Sequence, residues 1–115
     1  MEKSIKKQII EELENNGDLY FNEIEKIFKR NNFNYEGDNW IYYPNNETVA
    51  IWFNWNSEAI AIVREILEEK IGGLKPMMQI EMLMMGKFFK FELAKDPTRV
   101  YKNVRWFPMK LAYNR

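Results

Sequence analysis

The chain has 115 residues, of which 30% are charged and 16% aromatic, and it contains neither histidine nor cysteine. These absences exclude disulfide bonds, thiol nucleophiles, imidazole bases and the His/Cys sites that bind zinc, copper or haem. The 17 basic and 17 acidic residues balance, yet six Lys/Arg and one Asp fall within residues 95–115, so the C-terminal end is basic. This length and composition predict one folded domain, spanning 1–115.

The first third of the chain predicts two amphipathic helices, over residues 2–16 and 22–31. Apolar residues recur at helical spacing in both segments, and Gly17 is suited to the left-handed position that ends the first helix. Asn22 is the predicted N-cap of the second helix. Glu25 follows it by three residues, which is the spacing of a capping box.

A β-hairpin is predicted next, with strands over residues 40–43 and 48–54 around a turn at 44–47. Alternation along the second strand defines a core face, formed by Val49, Ile51, Phe53 and Trp55. Trp52 lies on the opposite face, where it is either covered by a helix or exposed for contact.

A third helix is predicted over residues 57–70, capped by Asn56 or Ser57 and stopped by Gly72-Gly73. The remaining chain predicts β structure. Apolar residues alternate along one strand, namely Met78, Ile80, Met82 and Met84. A tight turn at Gly86-Lys87 and a return strand follow, in which Phe89, Phe91 and Leu93 share a face. A strand over 99–107 and another over 109–113, separated by Pro108, complete the prediction.

The order ααββα followed by β strands predicts an α+β fold, in which an antiparallel sheet packs against helices. A winged-helix arrangement is compatible with this order in two versions. In one, helices 2–16 and 22–31 form a helix-turn-helix. In the other, helix 57–70 precedes a wing at residues 77–93.

Cations and aromatic residues are mixed in the basic C-terminal segment, and this pattern is typical of a contact surface. Because Trp, Tyr and Arg dominate interface energetics, the predicted partner-binding residues are Arg99, Tyr101, Lys102, Arg105 and Trp106, followed by Trp40, Tyr42 and Trp52. The alternative is a solvated edge strand that charge protects against aggregation.

Five methionines lie within residues 77–85. They predict either a sheet core in which Met fills gaps or an adaptable surface for partners, and we expect the core. Copper binding through thioethers is a third alternative.

DNA recognition is the alternative function, and the second helix offers the residues for it. The candidate DNA-binding residues are Lys26, Lys29, Arg30 and Asn31. Catalysis is not expected, because the aspartates fall at predicted turns and the glutamates on helix surfaces, with no phosphate-binding loop or nucleophile elbow. No cofactor or metal site is predicted.

Three segments carry a resemblance to a family: Phe33-Asn34-Tyr35-Glu36-Gly37, the Trp-rich run from Ile51 to Ala59, and the run from Tyr101 to Pro108. Together with the Asn-, Ile-, Lys- and Glu-rich composition, they resemble small accessory proteins of phages and pathogenicity islands of low-GC Gram-positive bacteria. The Met-rich segment departs from that family. The resemblance implies binding to a host or competitor protein, as counter-defence inhibitors such as anti-CRISPR proteins do.

The sequence therefore predicts a small non-enzymatic binding protein of phage or mobile-element type, which acts by stoichiometric protein–protein interaction. The alternative is a winged-helix DNA-binding regulator. A cytoplasmic location without membrane contact is expected, since no secretory signal or apolar span is visible.

Overall fold

The computed structural model describes residues 4–114. In chain order the elements are α1 (Ile5–Asn16), β1 (Asp18–Leu19), α2 (Phe21–Arg30), β2 (Glu36–Tyr43), β3 (Asn46–Trp55), α3 (Ser57–Glu68), β4 (Gly72–Pro76), α4 (Gln79–Met85), β5 (Arg105–Trp106) and β6 (Met109–Tyr113). The strands form two three-stranded sheets, ordered β1-β6-β4 and β2-β3-β5. The predicted α+β class is confirmed.

Both N-terminal helices are confirmed, α1 at Ile5–Asn16 and α2 at Phe21–Arg30. Residues 2 and 3 of the first prediction lie outside the described residues. The caps explain where the two helices begin and end. Ser4 caps α1, with its hydroxyl accepting from the Lys7 backbone N–H at 3.2 Å, and Gly17 ends it with a φ of 86°. The cap predicted for α2 is wrong, because α2 begins after Tyr20 and places Asn22 inside its first turn. Glu23 makes the capping bond, since its carboxylate accepts from the Tyr20 backbone N–H at 2.9 Å.

The predicted hairpin is confirmed and is longer than expected. β3 is buried from Val49 to Phe53 on both faces. It pairs antiparallel with β2 on one side and parallel with β5 on the other, so this sheet is mixed, whereas the sheet β1-β6-β4 is antiparallel. α3 is also confirmed, with Asn56 as its cap, whose side chain accepts from the Ala59 N–H at 2.9 Å.

An irregularity near the end of β3 changes which residues share a face. Asn54 has a φ of 68°, and both Glu36 and Asn39 of β2 oppose Trp55. Such a bulge breaks the two-residue alternation of a strand. Trp52 and Trp55 therefore turn their indoles to the same carboxylate, although regular alternation would have placed them on opposite faces.

The last third departs most from prediction. Residues 79–85 form helix α4 rather than a strand, so the predicted hairpin and wing at 77–93 are wrong. The strand predicted over 99–107 is reduced to Arg105–Trp106, whereas β6 is confirmed at Met109–Tyr113. Sequence reasoning did not anticipate β1 or β4. Both pair with β6, and β4 contains the glycine pair that was predicted only to stop α3.

Most of the buried apolar side chains form one cluster between the helices and sheets. Its largest fully buried members are Trp52, Trp55, Trp106, Phe21 and Phe28. Phe21 stacks on Trp52 at a centroid distance of 5.7 Å and meets Trp55 edge-on at 5.8 Å. Aromatic burial of this kind supplies much of the core's stabilisation.

Candidate protein-binding surface

Helix α4 turns its apolar residues towards solvent. Ile80, Leu83 and Met84 share one face at i, i+3 and i+4, and Leu83 and Met84 are 69% and 73% exposed. Met78 before the helix and Phe88 after it are also more than half exposed. We call these five side chains the α4 apolar surface. Exposed large apolar residues that cluster in this way mark interaction sites.

The opposite face of α4 packs inward and carries a charged residue. Met85 is buried and Met82 half-buried, while the side chain of Glu81, the residue before Met82, is only 13% exposed. A surface helix usually buries its apolar stripe and exposes its charges. α4 instead turns the charged Glu81 inward and exposes apolar residues, so a specific interaction must hold the helix in this orientation.

A polar network around Glu81 supplies that cause. Lys110 of β6 forms ion pairs with Glu81 and, at 2.8 Å, with Asp18 of β1. The Tyr20 hydroxyl donates to the Glu81 carboxylate at 3.3 Å, and the Met78 backbone N–H donates to it at 3.1 Å. Both oxygens of the inward, half-buried Glu81 carboxylate thus have partners, which offset the loss of contact with water.

The network also fixes charge states. The hydrogen bond from Lys110, followed by that from the Met78 N–H, lowers the pKa of Glu81 below its ordinary value. Burial opposes the charge on Lys110, but its hydrogen bonds to Asp18 and Glu81 raise its pKa overall. At neutral pH both groups are therefore ionised, and the attraction between them holds α4 on β6.

The C-terminal end of α4 is held by α2. Gly86 ends the helix in the left-handed conformation, with a φ of 76°. The Asn22 side chain donates to the Met85 carbonyl at 3.1 Å, and Lys87 Nζ lies 3.4 Å from Glu25 Oε1. Both ends of α4 are thus attached through polar groups, which leaves its apolar face free.

Glu25 is the most buried charged residue of the described chain, at 6% exposure. Its Oε2 atom accepts hydrogen bonds from the indole N–H groups of Trp52, at 3.0 Å, and Trp55, at 2.8 Å. Lys87 also lies 5.4 Å from the centroid of the Trp52 ring. Burial, and then the Glu25 charge, raise the pKa of the adjacent Tyr35. The capping role predicted for Glu25, and its predicted place on the helix surface, are wrong, because its carboxylate points into the core.

The irregular segment that follows α4, residues 88–91, alternates between exposed and inward-facing side chains. Phe89 and Phe91 pack on Phe53 at centroid distances of 4.4 and 4.6 Å, whereas Phe88 and Lys90 are exposed. The predicted shared face of Phe89, Phe91 and Leu93 is therefore correct for the two phenylalanines only, because Leu93 is 48% exposed. No regular strand forms there. Two residues of extended backbone span ~7 Å, so Lys90 continues the exposed strip that begins at Phe88.

This strip leads to a cavity of about 240 Å³ with a positive lining. The charged side chains that line it are Lys90, Lys102, Arg105 and Glu92, and we call it the basic cavity. Arg105 is oriented by an ion pair with Glu92 at 3.2 Å and by its position over the Tyr101 ring, 4.6 Å from the centroid. Lys90 and Lys102 are exposed and form no ion pair with any residue of 4–114.

The structure separates the predicted partner-binding residues. Trp52 and Trp106 are 1% and 2% exposed, so their assignment as contact residues is wrong. Both belong to the core: Trp52 bonds Glu25, and the Trp106 indole donates to the Ile51 carbonyl at 3.2 Å. A buried indole ring whose N–H is hydrogen-bonded stabilises the core, and it is not accessible to a partner.

The other predicted residues reach the surface in three places. Trp40 is half-buried against Phe53 and Phe91, and Tyr42 is exposed beside a groove of about 570 Å³ between the hairpin and α3. Arg99 is exposed on a loop that the buried Asn46 side chain holds in place. The Asn46 amide donates to the Pro97 and Arg99 carbonyls at 2.7 and 2.8 Å. Of the set that was predicted, two members line the basic cavity, namely Lys102 and Arg105.

The candidate DNA-binding residues of α2 are partly engaged elsewhere. Arg30 pairs with Glu12 of α1 at 3.1 Å. Asn31 exchanges two hydrogen bonds with Gln8, at 2.9 and 3.0 Å. Lys26 and Lys29 remain exposed. Base readout by Arg30 and Asn31 would require these contacts to α1 to break.

Sequence reasoning missed the inward glutamates and the outward face of α4. Glu25 carried a signal, since it falls with Phe21, Ile24 and Phe28 on the apolar side of α2. Glu81 carried a weaker one, because Met78 and Glu81 have capping-box spacing, which indicates a helix start rather than a strand. Lys110, which holds Glu81, lies 29 positions away in sequence and gave no local signal.

Two general findings bound the chemistry of the described part of the chain. Within residues 4–114 no three acidic side chains are grouped so that they could hold a metal ion. No helix of that stretch is long and apolar enough to cross a membrane.

Comparison with known proteins adds no assignment, because no protein-family model, no curated protein and no solved structure matches this chain.

Proposed function

We propose that this protein is a stoichiometric protein-binding module and that the α4 apolar surface is the centre of its contact. One observation carries the proposal: α4 exposes Ile80, Leu83 and Met84 while an ion-pair network holds Glu81 inward. Without a partner, this orientation leaves apolar area in water that a rotated helix would bury. A network that maintains such an arrangement is explained if a second protein covers the surface.

The composition of the surface supports a protein partner. Methionine, phenylalanine and other large apolar residues are typical of the centres of interfaces, and Met adapts its shape to the partner. The five side chains together expose on the order of 400–500 Å². A standard interface buries ~800 Å² per partner, so neighbouring residues must contribute the rest.

The alternative of a winged-helix DNA regulator receives less support. In the version with helix 57–70, the wing at residues 77–93 is replaced by α4 and an irregular segment. In the version with helix 22–31, two of the four candidate residues bond to α1. The mobile-element setting, and with it a counter-defence inhibitor of anti-CRISPR type, remains part of the proposal on the resemblance alone. The proposed mode of action is occlusion of a partner's surface without catalysis.

The proposal is tested by affinity capture from a lysate of a low-GC Gram-positive bacterium, treated with nuclease. Three baits are compared: the wild type, a Leu83→Asp/Met84→Asp variant, and an Ala61→Asp control at an exposed position of α3. We expect one protein retained in equal amount by the wild type and the control and lost by the α4 variant. Retention by all three baits, or capture that nuclease abolishes, would contradict the proposal.

A further inference from the structure

We propose that the basic cavity is a carboxylate-binding subsite for an acidic segment of the partner that docks on the α4 apolar surface. The inference rests on the proposed function, and it names the chemistry of the partner. That segment would place apolar side chains against α4 and an Asp or Glu side chain in the cavity. Charge, preorganisation and continuity with the α4 apolar surface support this assignment.

Charge is the first argument. The cavity lining carries the three cations Lys90, Lys102 and Arg105 against the single anion Glu92, so two positive charges remain uncompensated within it. The part of the chain that the structure describes provides no ion-pair partner for Lys90 or Lys102. An arriving carboxylate would gain charge-assisted hydrogen bonds there.

Preorganisation is the second argument. Arg105 is 34% exposed, and its guanidinium is held between the Glu92 carboxylate, at 3.2 Å, and the Tyr101 ring. A side chain fixed in this way loses little conformational freedom on binding. The Glu92 carboxylate, 79% exposed, forms an exposed ion pair of low intrinsic strength, which a partner's carboxylate can join or replace.

Continuity is the third argument. The α4 apolar surface alone is about half the size of a standard interface, and the exposed strip from Phe88 to Lys90 joins it to the cavity. The cavity volume of about 240 Å³ equals on the order of eight water molecules, which is sufficient for an acidic side chain and its remaining hydration. One segment of a partner can therefore cover both features.

Anionic lipid and nucleic acid also carry negative charge, but both fit less well. The chain has zero net charge, whereas surfaces that bind phosphate polymers need a surplus of cations. Glu92 in the cavity would repel closely spaced phosphates. A peptide with one or two carboxylates matches the two uncompensated charges.

The test is a selection of random 12-residue peptides displayed on phage against the immobilised full chain. Four baits are used: the wild type, Leu83→Asp/Met84→Asp, Lys102→Glu/Arg105→Glu, and Lys26→Glu as a charge-reversal control on α2. We expect peptides that combine apolar residues with Asp or Glu from the wild type and from the control. The α4 variant should enrich nothing, and the cavity variant should enrich apolar peptides without acidic bias.

The selected peptides are then synthesised and titrated by fluorescence anisotropy. We expect the Lys102→Glu/Arg105→Glu variant to bind the acidic peptides at least ~10-fold more weakly than the wild type, since close charge pairs couple strongly across interfaces. Apolar peptides without acidic bias from the wild type would overturn the subsite while leaving the proposed function intact. Equal enrichment by the wild type and the α4 variant would overturn the proposed function itself.

Two further probes distinguish the remaining occupants. Vesicles containing phosphatidylserine and a labelled 20-nucleotide single-stranded DNA are titrated with the wild type and the cavity variant at physiological salt. We expect no binding that depends on Lys102 and Arg105. Tight, cavity-dependent binding of either probe would overturn the assignment of the cavity to an acidic peptide.

Discussion

Helices α2 and α4 each turn a glutamate into the protein, but with opposite consequences. In α2, Glu25 lies on the same side as the apolar residues and joins the core by accepting two indole hydrogen bonds. In α4, Glu81 is the anchor and most of the large apolar residues lie on the other side. A carboxylate that points inward can therefore complete a core, or it can orient a helix so that its apolar face stays exposed.

The two glutamates differ in the hydrogen-bond donors that depend on them. Glu25 provides an acceptor for two buried N–H groups that would otherwise be unsatisfied. Glu81 satisfies Lys110, which already has Asp18 as a second partner. Loss of Glu25 should therefore damage the core, whereas loss of Glu81 should mainly release α4.

The largest effect is expected at Glu25. A Glu25→Ala variant leaves the Trp52 and Trp55 indoles without their acceptor, and we expect the free energy of unfolding to fall by ~3 kcal/mol or more. Urea unfolding followed by tryptophan fluorescence measures this change. Lys26→Ala, at the exposed neighbouring position, is the control, with an expected change below ~0.5 kcal/mol. Equal changes in the two variants would show that Glu25 does not stabilise the core.

A smaller, pH-dependent effect is expected at Glu81. Its pKa is lowered in the folded state, so its contribution to stability is complete above its ordinary value of 4.5 and is lost as the pH falls through the lower folded value. At neutral pH we expect Glu81→Gln to cost ~1–2 kcal/mol, because a charge-assisted hydrogen bond becomes a neutral one.

The difference in unfolding free energy between the wild type and Glu81→Gln, measured from pH 7 to pH 3, isolates this contribution. The pKa of Asp96 is also low, since Thr98 bonds its carboxylate, but that effect cancels in the difference. We expect the difference to shrink only below pH 4.5. A difference that stays constant with pH would contradict an ionised Glu81 in the network.

The smallest effect on stability is expected on the outer face of α4. Leu83→Asp and Met84→Asp replace exposed side chains, so each should change the free energy of unfolding by less than ~0.5 kcal/mol. Binding of the dye ANS, which reports exposed apolar surface, should fall in the double variant. A loss of stability above ~2 kcal/mol would show that this face is packed in the folded protein.

The elements that sequence reasoning predicted correctly are those with an unambiguous period. α1, α2 and α3 repeat apolar residues at helical spacing between recognisable caps, and the β2–β3 hairpin surrounds a Pro-Asn turn. α4 failed because seven of the nine residues from 77 to 85 are apolar. A segment of this composition matches a two-residue period and a helical period equally well. The unbranched Met, Leu, Gln and Glu that dominate it favour a helix.

The candidate site was predictable only in part. Lys102 and Arg105 were identified from the mixture of charge and aromatic residues, and both line the basic cavity. Trp52 and Trp106 were misassigned because residue type alone does not distinguish a buried indole from an exposed one. The α4 apolar surface depends on the contact between Glu81 and Lys110, which are distant in sequence and meet only in the folded chain.

Site-specific photo-crosslinking tests whether the α4 apolar surface binds a partner protein. A benzophenone amino acid is placed at Met84 on the outer face of α4, or at Ala61 on the exposed face of α3 as the matched control, and each protein is irradiated in a bacterial lysate. We expect a crosslink to one protein from position 84 and none from position 61. Crosslinking from position 61 alone, or from neither position, would contradict the claim that the α4 apolar surface binds a partner.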